Sequence, residues 1–399
     1  MDGPPRESLA AIAREWGRIG CIGFGGPPAH IALLRALCVD RRQWLSAQEF
    51  EDGVATTNLL PGPASTQLAI YCAWRLRGPL GALVGGICFI VPGLIVILAL
   101  SALFLSAHPP RWVSGAAAGA GAAVPAVALG AAIGLAPASW RRAGTRRAVR
   151  LRWIGYLIAG GTAAALTGPF LVLVLAGCGL AELLVTRSPW RTAGPGPSAS
   201  PGPPSGRAQA LLPLLAATAI PAGGLLSVAW VAFKVGALSY GGGFVIIPLM
   251  QHDAVHTYHW MTSAQFLSAV ALGQITPGPV VQTVSVVGYA AAGVGGALLA
   301  SLVAFTPSFI FVLAGGPRFD QLRRNAGVQA FLSGAGPAAI GAIAGATVPL
   351  ALALSHLWQL ALLGLAAIWL IALRRGVVST LLGAAGLGVI AALAGAAVG

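Results

Sequence analysis

Long apolar runs separated by short polar gaps dominate the chain. They lie at 80–105, 113–137, 154–184, 293–315, 357–373 and 377–398. About 20 helical residues cross the roughly 30 Å of hydrocarbon in a bilayer, and these runs reach or approach that length. The short alternating segments of a membrane barrel are absent from the pattern. It therefore predicts an all-α polytopic membrane protein. Two places resist the pattern: "LLPGPASTQ" (59–67) and "QITPGP" (274–279) put a glycine between two prolines in apolar surroundings. Proline removes a backbone donor and glycine loosens a helix, so both stretches predict broken helices.

The two breaks belong to a repeat. Phe24-Gly25-Gly26 aligns with Tyr240-Gly241-Gly242 at an offset of 216 (240 minus 24). At that offset Trp44 meets Trp260, Ser46 meets Thr262, Phe50 meets Phe266, and Pro61-Gly62-Pro63 meets Pro277-Gly278-Pro279. At 215, Gly78 meets Gly293, Pro92 meets Pro307, and Gly119-Ala120-Gly121 meets Gly334-Ala335-Gly336. A fixed period of this kind marks a duplicated unit. The expected organisation is a first membrane repeat at 1–187, a Pro/Gly/Ser-rich linker at 188–207, an additional transmembrane helix at 208–229 and a second repeat at 230–399.

Charge sets the orientation. Only 9% of residues are charged, against about 25% in a soluble domain. The net charge of +14 comes mostly from arginine, and Lys234 is the single lysine. Arginines occupy short gaps between apolar runs, which reads as cytoplasmic loops rather than as a nucleic-acid surface. First-half arginines crowd 35–42, 75–77 and 141–152, while the matching second-half gaps hold none. The reverse holds at Arg374-Arg375, whose counterpart at 167–168 is uncharged, and 318–324 holds three arginines against one at 108–111. The halves are thus expected to face opposite ways, as inverted-topology repeats with broken or re-entrant helices, and 208–229 supplies the odd crossing. Residues 1–18 carry acids and no apolar core, so no cleavable signal is expected.

A helix restarting within a membrane exposes unpaired amides and the positive end of its dipole, which favours an anion. Polar, uncharged residues surround each break: Asn58, Ser65, Thr66 and Gln67 at the first, Gln274, Thr276, Gln282 and Thr283 at the second. The alternative is a pair of proline kinks whose hydroxyls bond back to their own helix. Arg18 and Lys234 stand at the same repeat position (234 minus 216), six residues before the glycine motifs. Intramembrane cations are costly and usually functional, although either could snorkel to an interface. Lys234 is expected to lie unpaired in apolar sequence; Glu15 lies near Arg18 and is a candidate partner for it. Glu49, Glu51 and Asp52 read as a solvated helix face or a proton relay, and Glu182 as reaching the interface. Five scattered cysteines suit packing rather than disulfides or metal. His252 and His256, in a loop-like stretch beside Asp253, are a weak metal pair, and no metal or cofactor is expected. Walker A, GxSxG and HExxH patterns are lacking, so the chain reads as no enzyme.

"FGGPPAHIALLR" with "LLPGPASTQLA", and "ALSYGGGFVIIPLM" with "ALGQITPGPVVQTVSVVGY", resemble the chromate ion transporter family in its bidomain form. The resemblance covers nearly the whole chain except the central linker and, less clearly, the last hairpin of each half. It implies secondary-active export of chromate across a bacterial inner membrane, chromate resistance, and sulfate as a competitor; a homodimer is left open. By position it carries Arg18, Gly25, Gly26, Pro61, Gly62 and Pro63, and Lys234, Gly241, Gly242, Pro277, Gly278 and Pro279, into the family pattern. The alternatives are uptake of sulfate or another tetrahedral oxyanion and, from another class, a non-transporting membrane scaffold. Reporter fusions at Arg146 and Ser355 are expected to report opposite sides of the membrane. Placement on one side would refute the inverted arrangement.

Overall fold

The sequence repeat is also a repeat of backbone conformation. The computed structural model describes residues 7–58, 60, 62–106, 108–166, 170–187, 224–239, 243–315 and 325–397, and every element among them is helical. The first half comprises α1 (Leu9–Ile22), α2 (Pro27–Arg35) running into a π-helical turn (Ala36–Arg41), α3 (Ala47–Thr57), α4 (Ala64–Phe104), α5 (Arg111–Arg142), α6 (Arg147–Leu166) and α7 (Leu171–Arg187). The second comprises α8 (Gly224–Leu238), α9 (Ile247–Gln251) with its π turn (His252–Thr257), α10 (Ser263–Ile275), a 3-10 turn (Val280–Gln282), α11 (Thr283–Gly315), α12 (Ala326–Leu352), α13 (Leu357–Ala367) with a π turn (Ile368–Ala372), and α14 (Val377–Leu393). The linker, and 208–223 of the expected additional helix, lie outside the described residues.

Local chemistry recurs at matching positions. Ser46 and Thr262 cap α3 and α10, each in a capping box closed by Glu49 or Gln265. Both α4 and α11 contain a hinge of one design: Arg77 at φ −145° precedes Gly78 at φ +62°, and Ala292 at φ −152° precedes Gly293 at φ +61°. A positive φ there is open to glycine at little cost. Each long helix is therefore two helices in series. His252 and His256 lie on a π-helical turn, not in a loop, with rings 5.8 Å apart. No metal-ligand cluster occurs among the described residues.

Among the described residues, four stretches are long and apolar enough to cross a bilayer: Ala64–Phe104, Arg111–Arg142, Val280–Gly315 and Ala326–Leu352. Leu80, Ile87 and Ile95 on α4, and Leu302 and Ile310 on α11, are exposed, as suits a surface against lipid tails. The run at 154–184 is two helices, α6 and α7.

The elements around the breaks are shorter. With 14, 11 and 13 residues, α1, α3 and α10 span about 16–21 Å, less than the hydrocarbon thickness. Arg75, near the hinge of α4, pairs with Glu49 at the start of α3. That contact brings the open ends of α3 and the first segment of α4 together. The two form a hairpin whose tip is the first Pro-Gly-Pro. Similarly, Arg42 reaches back to Glu15 at 2.8 Å and Trp44 stacks on Trp16, closing α1 and α2 into a hairpin with Gly25-Gly26 at its tip.

The halves interlock by exchange. The last hairpin of the first half, α6–α7, packs on α12 of the second; α13–α14 of the second packs on α5 of the first. Small residues permit the approach. A Cβ at Gly160 would meet the carbonyl of Ala338, one at Gly341 that of Leu157, one at Gly119 that of Ala384, and one at Gly388 that of Gly115. Lipid supplies no hydrophobic drive between helices, so such close packing carries the association. Gly341→Val is expected to cost roughly 1–3 kcal/mol through overpacking. Gly336→Ala on the same helix, where a Cβ meets nothing within 4 Å, serves as the control. Thermal unfolding in detergent should show a lowered Tm for the first variant only.

Candidate functional site

Each break is held by a backbone hydrogen bond from the other half. Gly62 N–H donates to the carbonyl of Ser239 at 2.6 Å, and Gly278 N–H donates to that of Gly23 at 2.9 Å. Ser239 and Gly23 are repeat equivalents, 216 apart, as are Gly278 and Gly62. Reciprocal bonding of this sort is what a two-fold relation between halves produces. Both glycines have positive φ, +126° and +91°. Their amides join the halves.

His30 ties the two tips of the first half together. Fully buried, it lies 2.9 Å through Nε2 from the Gly23 carbonyl and 3.2 Å through Nδ1 from Ser65 Oγ. A carbonyl only accepts, so Nε2 carries the proton and Nδ1 accepts from the Ser65 hydroxyl. A chain of hydrogen bonds thus runs from Gly278 through Gly23 and His30 to Ser65. Three residues before Ser65, Gly62 bonds to Ser239. Gly26 joins the junction against Val280, 3.3 Å from where its Cβ would stand. Gly25 is exposed beside it, and Pro61, Gly241 and Gly242 lie outside the described residues.

The two breaks differ in how their polar groups are used. At the first, α4 begins directly at Ala64 after Pro63, without a side-chain cap. Thr66, Ser239 and Ser308 are fully buried, and their hydroxyls have no hydrogen-bond partner among the described residues. Ser308 Oγ lies 3.3 Å from the Cβ position of Gly62, beside the Gln67 amide. At the second break most groups are committed. Gln282 donates to Ile90 O at 3.3 Å and accepts from Ser285 at 2.9 Å and Ser301 at 3.4 Å. Thr276 and Thr283 bond back to Leu272 and Val280 at 2.7 and 2.9 Å, the kink-type arrangement. Gln274 Nε2, buried on the approach to that break, has no partner among the described residues. Asn58 is exposed and ends α3. An unsatisfied buried polar group costs about 1–3 kcal/mol, so the three hydroxyls mark a place that a ligand would satisfy.

The cations separate. Lys234 is buried and meets Asp253 at 2.6 Å, with its ammonium 5.8 Å above the Trp230 ring. The expectation of an unpaired lysine is corrected: the π turn after α9 brings a carboxylate to it. Arg18 is 49% exposed and 3.7 Å from Glu15, whose closer partner is Arg42. The structure does not bring Arg18 and Lys234 together. Glu49 and Glu51 pair with Arg75 and Arg35, and Asp52 accepts from Gln48, as on a solvated face. Glu182 is buried, accepting from Arg152 at 2.7 and 2.9 Å and from Tyr156 at 3.1 Å.

A cavity of about 320 Å³ lies elsewhere, between the ends of α4, α5, α10, α12 and α13. Its lining is uncharged and contains none of the break residues. Sequence reasoning missed Ser239, Ser308, His30 and Asp253. A signal existed for the first two: each replaces a glycine at its repeat-equivalent position, Gly23 (239 minus 216) and Gly93 (308 minus 215).

Comparison with known proteins follows the same halves. The family described as chromate transporter matches residues 10–183 and 226–395. The chain is 33% identical over 360 residues to a chromate transport protein of Cupriavidus metallidurans, covering 87% of this chain and 84% of that one. It is 32% identical over 370 residues to a probable chromate transport protein of Synechococcus elongatus, covering 91% and 90%. It is 27% identical over 342 residues to an uncharacterized transporter of Methanocaldococcus jannaschii, covering 77% and 76%. No solved structure matches. Two matched segments spanning most of the chain, together with relatives of similar length, place this multi-pass membrane protein: it belongs to the chromate transporter family.

Proposed function

We propose that this chain carries chromate out across a bacterial inner membrane, binding the dianion where the two breaks meet, and that it thereby confers chromate resistance. The observation that carries the reading is a pair of buried, unpartnered hydroxyls at the capless start of α4: that of Thr66 in its first turn and that of Ser308 against Gly62. A helix start offers amides and about half a positive charge, and a buried oxyanion requires such donors. The opposed hairpins suit alternating access, in which one half moves against the other around a fixed site. A membrane scaffold has no use for buried donors left without partners.

Chromate and sulfate are both tetrahedral dianions, so flux decides between export and uptake. Everted vesicles containing the chain are expected to accumulate radiolabelled chromate in excess of sulfate, and right-side-out vesicles are not. Uptake of sulfate by right-side-out vesicles alone would reverse the assignment.

A helix start supplies only about half a unit against a dianion's two. Lys234 lies five residues before Ser239, which directly follows the same helix, roughly 7 Å along its axis, and we assign it most of the balance. In the empty protein Asp253 holds it. Lys234→Met alone strands a buried carboxylate, a cost of about 3–5 kcal/mol, and should lower membrane abundance. Adding Asp253→Asn removes the stranded charge. The double variant is expected to recover abundance and to lack chromate transport. Wild-type flux in the double variant would remove Lys234 from the site.

A further inference from the structure

We infer that the oxyanion has a single seat, at the first break, and that Ser239 and Ser308 line it together with Thr66; the second break is a structural copy that binds nothing. The inference rests on the transport reading above and adds the residues that define the site. Three observations support it.

First, three residues that carry unpartnered hydroxyls adjoin the first break. Ser239 touches Gly62 through its carbonyl, and Ser308 lies against Gly62 through its hydroxyl. Thr66 stands in the first turn of α4, four residues after Gly62. All three are fully buried. A tetrahedral dianion presents oxygens that only accept, and each of these hydroxyls is able to donate.

Second, the equivalent space in the other half is filled. The repeat partners of Ser239 and Ser308 are Gly23 and Gly93, which carry no hydroxyl. The Pro277 carbonyl occupies the place a Cβ on Gly93 would take. Backbone packs at the second break where the first has side-chain donors.

Third, the helix starts differ. After Pro279 the chain forms a 3-10 turn, in which Gln282 N–H donates to Pro279 O at 2.9 Å. This tighter turn uses the Gln282 amide within the chain. The first break enters α4 with no such turn, leaving the leading amides of a helix that reaches Arg77 before its hinge. Duplication thus produced two similar breaks, and side-chain differences leave one of them able to hold a ligand.

Calorimetric titration of the purified full chain with chromate, and separately with sulfate, tests the assignment. Ser239→Ala and Ser308→Ala are each expected to weaken chromate binding at least tenfold. Their Tm should stay unchanged or rise, since a hydroxyl without a protein partner stabilises nothing in the empty protein. Ser285→Ala, at the second break, removes a made hydrogen bond to Gln282 and is expected to lower Tm while keeping affinity. Wild-type affinity in both the Ser239 and Ser308 variants would overturn the seat while leaving the transport reading intact. Hydroxyls that hold only water would give that same unchanged affinity. A loss of affinity accompanied by a fall in Tm like that of Ser285→Ala would also overturn it, by showing a structural role. Failure of the wild-type chain to bind either anion would sink the transport reading and the seat together.

Discussion

A bilayer offers no water to an unpaired backbone group, and the rest of this structure depends on how its broken helices meet that demand. The solution is an exchange. The glycine amide of each Pro-Gly-Pro finds a carbonyl just before the glycine motif of the opposite half. Neither half can complete its own break. The fold is therefore cooperative between repeats at its centre, and the same logic governs its flanks, where each terminal hairpin packs on the long helix of the other half. Glycine at the crossings lets those helices approach to backbone contact.

The exchange buries the tip of the short hairpin made by α3 and the first segment of α4. α3 and the first segment of α4 are each too short to cross, and the Glu49–Arg75 contact closes their outer ends. Their charged ends remain partly exposed while their tips are buried. Helix starts and hydroxyls are thereby brought into a low-dielectric interior without a fixed net charge on the tips themselves. A dianion bound there would be held by directional donors, a strong arrangement where water is excluded and a costly one while the donors lack partners.

Charge is distributed less symmetrically than backbone. The Lys234–Asp253 pair has no counterpart in the first half, where the equivalent positions are Arg18 and Leu37 (234 and 253, each minus 216). Burial of both partners makes the pair neutral as a unit, so an apolar interior tolerates it only while both remain. The first half keeps its ion pairs nearer the surface, as with Arg18, Arg35 and Arg75. A duplicated scaffold with unequal side chains is able to separate two tasks that a symmetric one must share.

The helices, the duplication and the sites of breakage were legible in the sequence because their causes are local. An apolar run of sufficient length makes a span, proline and glycine interrupt it, and Ser46 with Glu49, or Thr262 with Gln265, starts the next helix. Those signals act within a few residues, so they survive without knowledge of the fold. The partners of the polar groups were not legible. Lys234 meets a carboxylate carried to it by a π turn, Gly62 bonds to a carbonyl of the other half, and Ser308 reaches the first break from the second repeat. Each contact joins residues far apart in the chain through the packing of several helices. Only the tertiary structure decides which buried donor is satisfied and which is left for a ligand, because that outcome depends on which distant atoms the packing brings within about 3 Å.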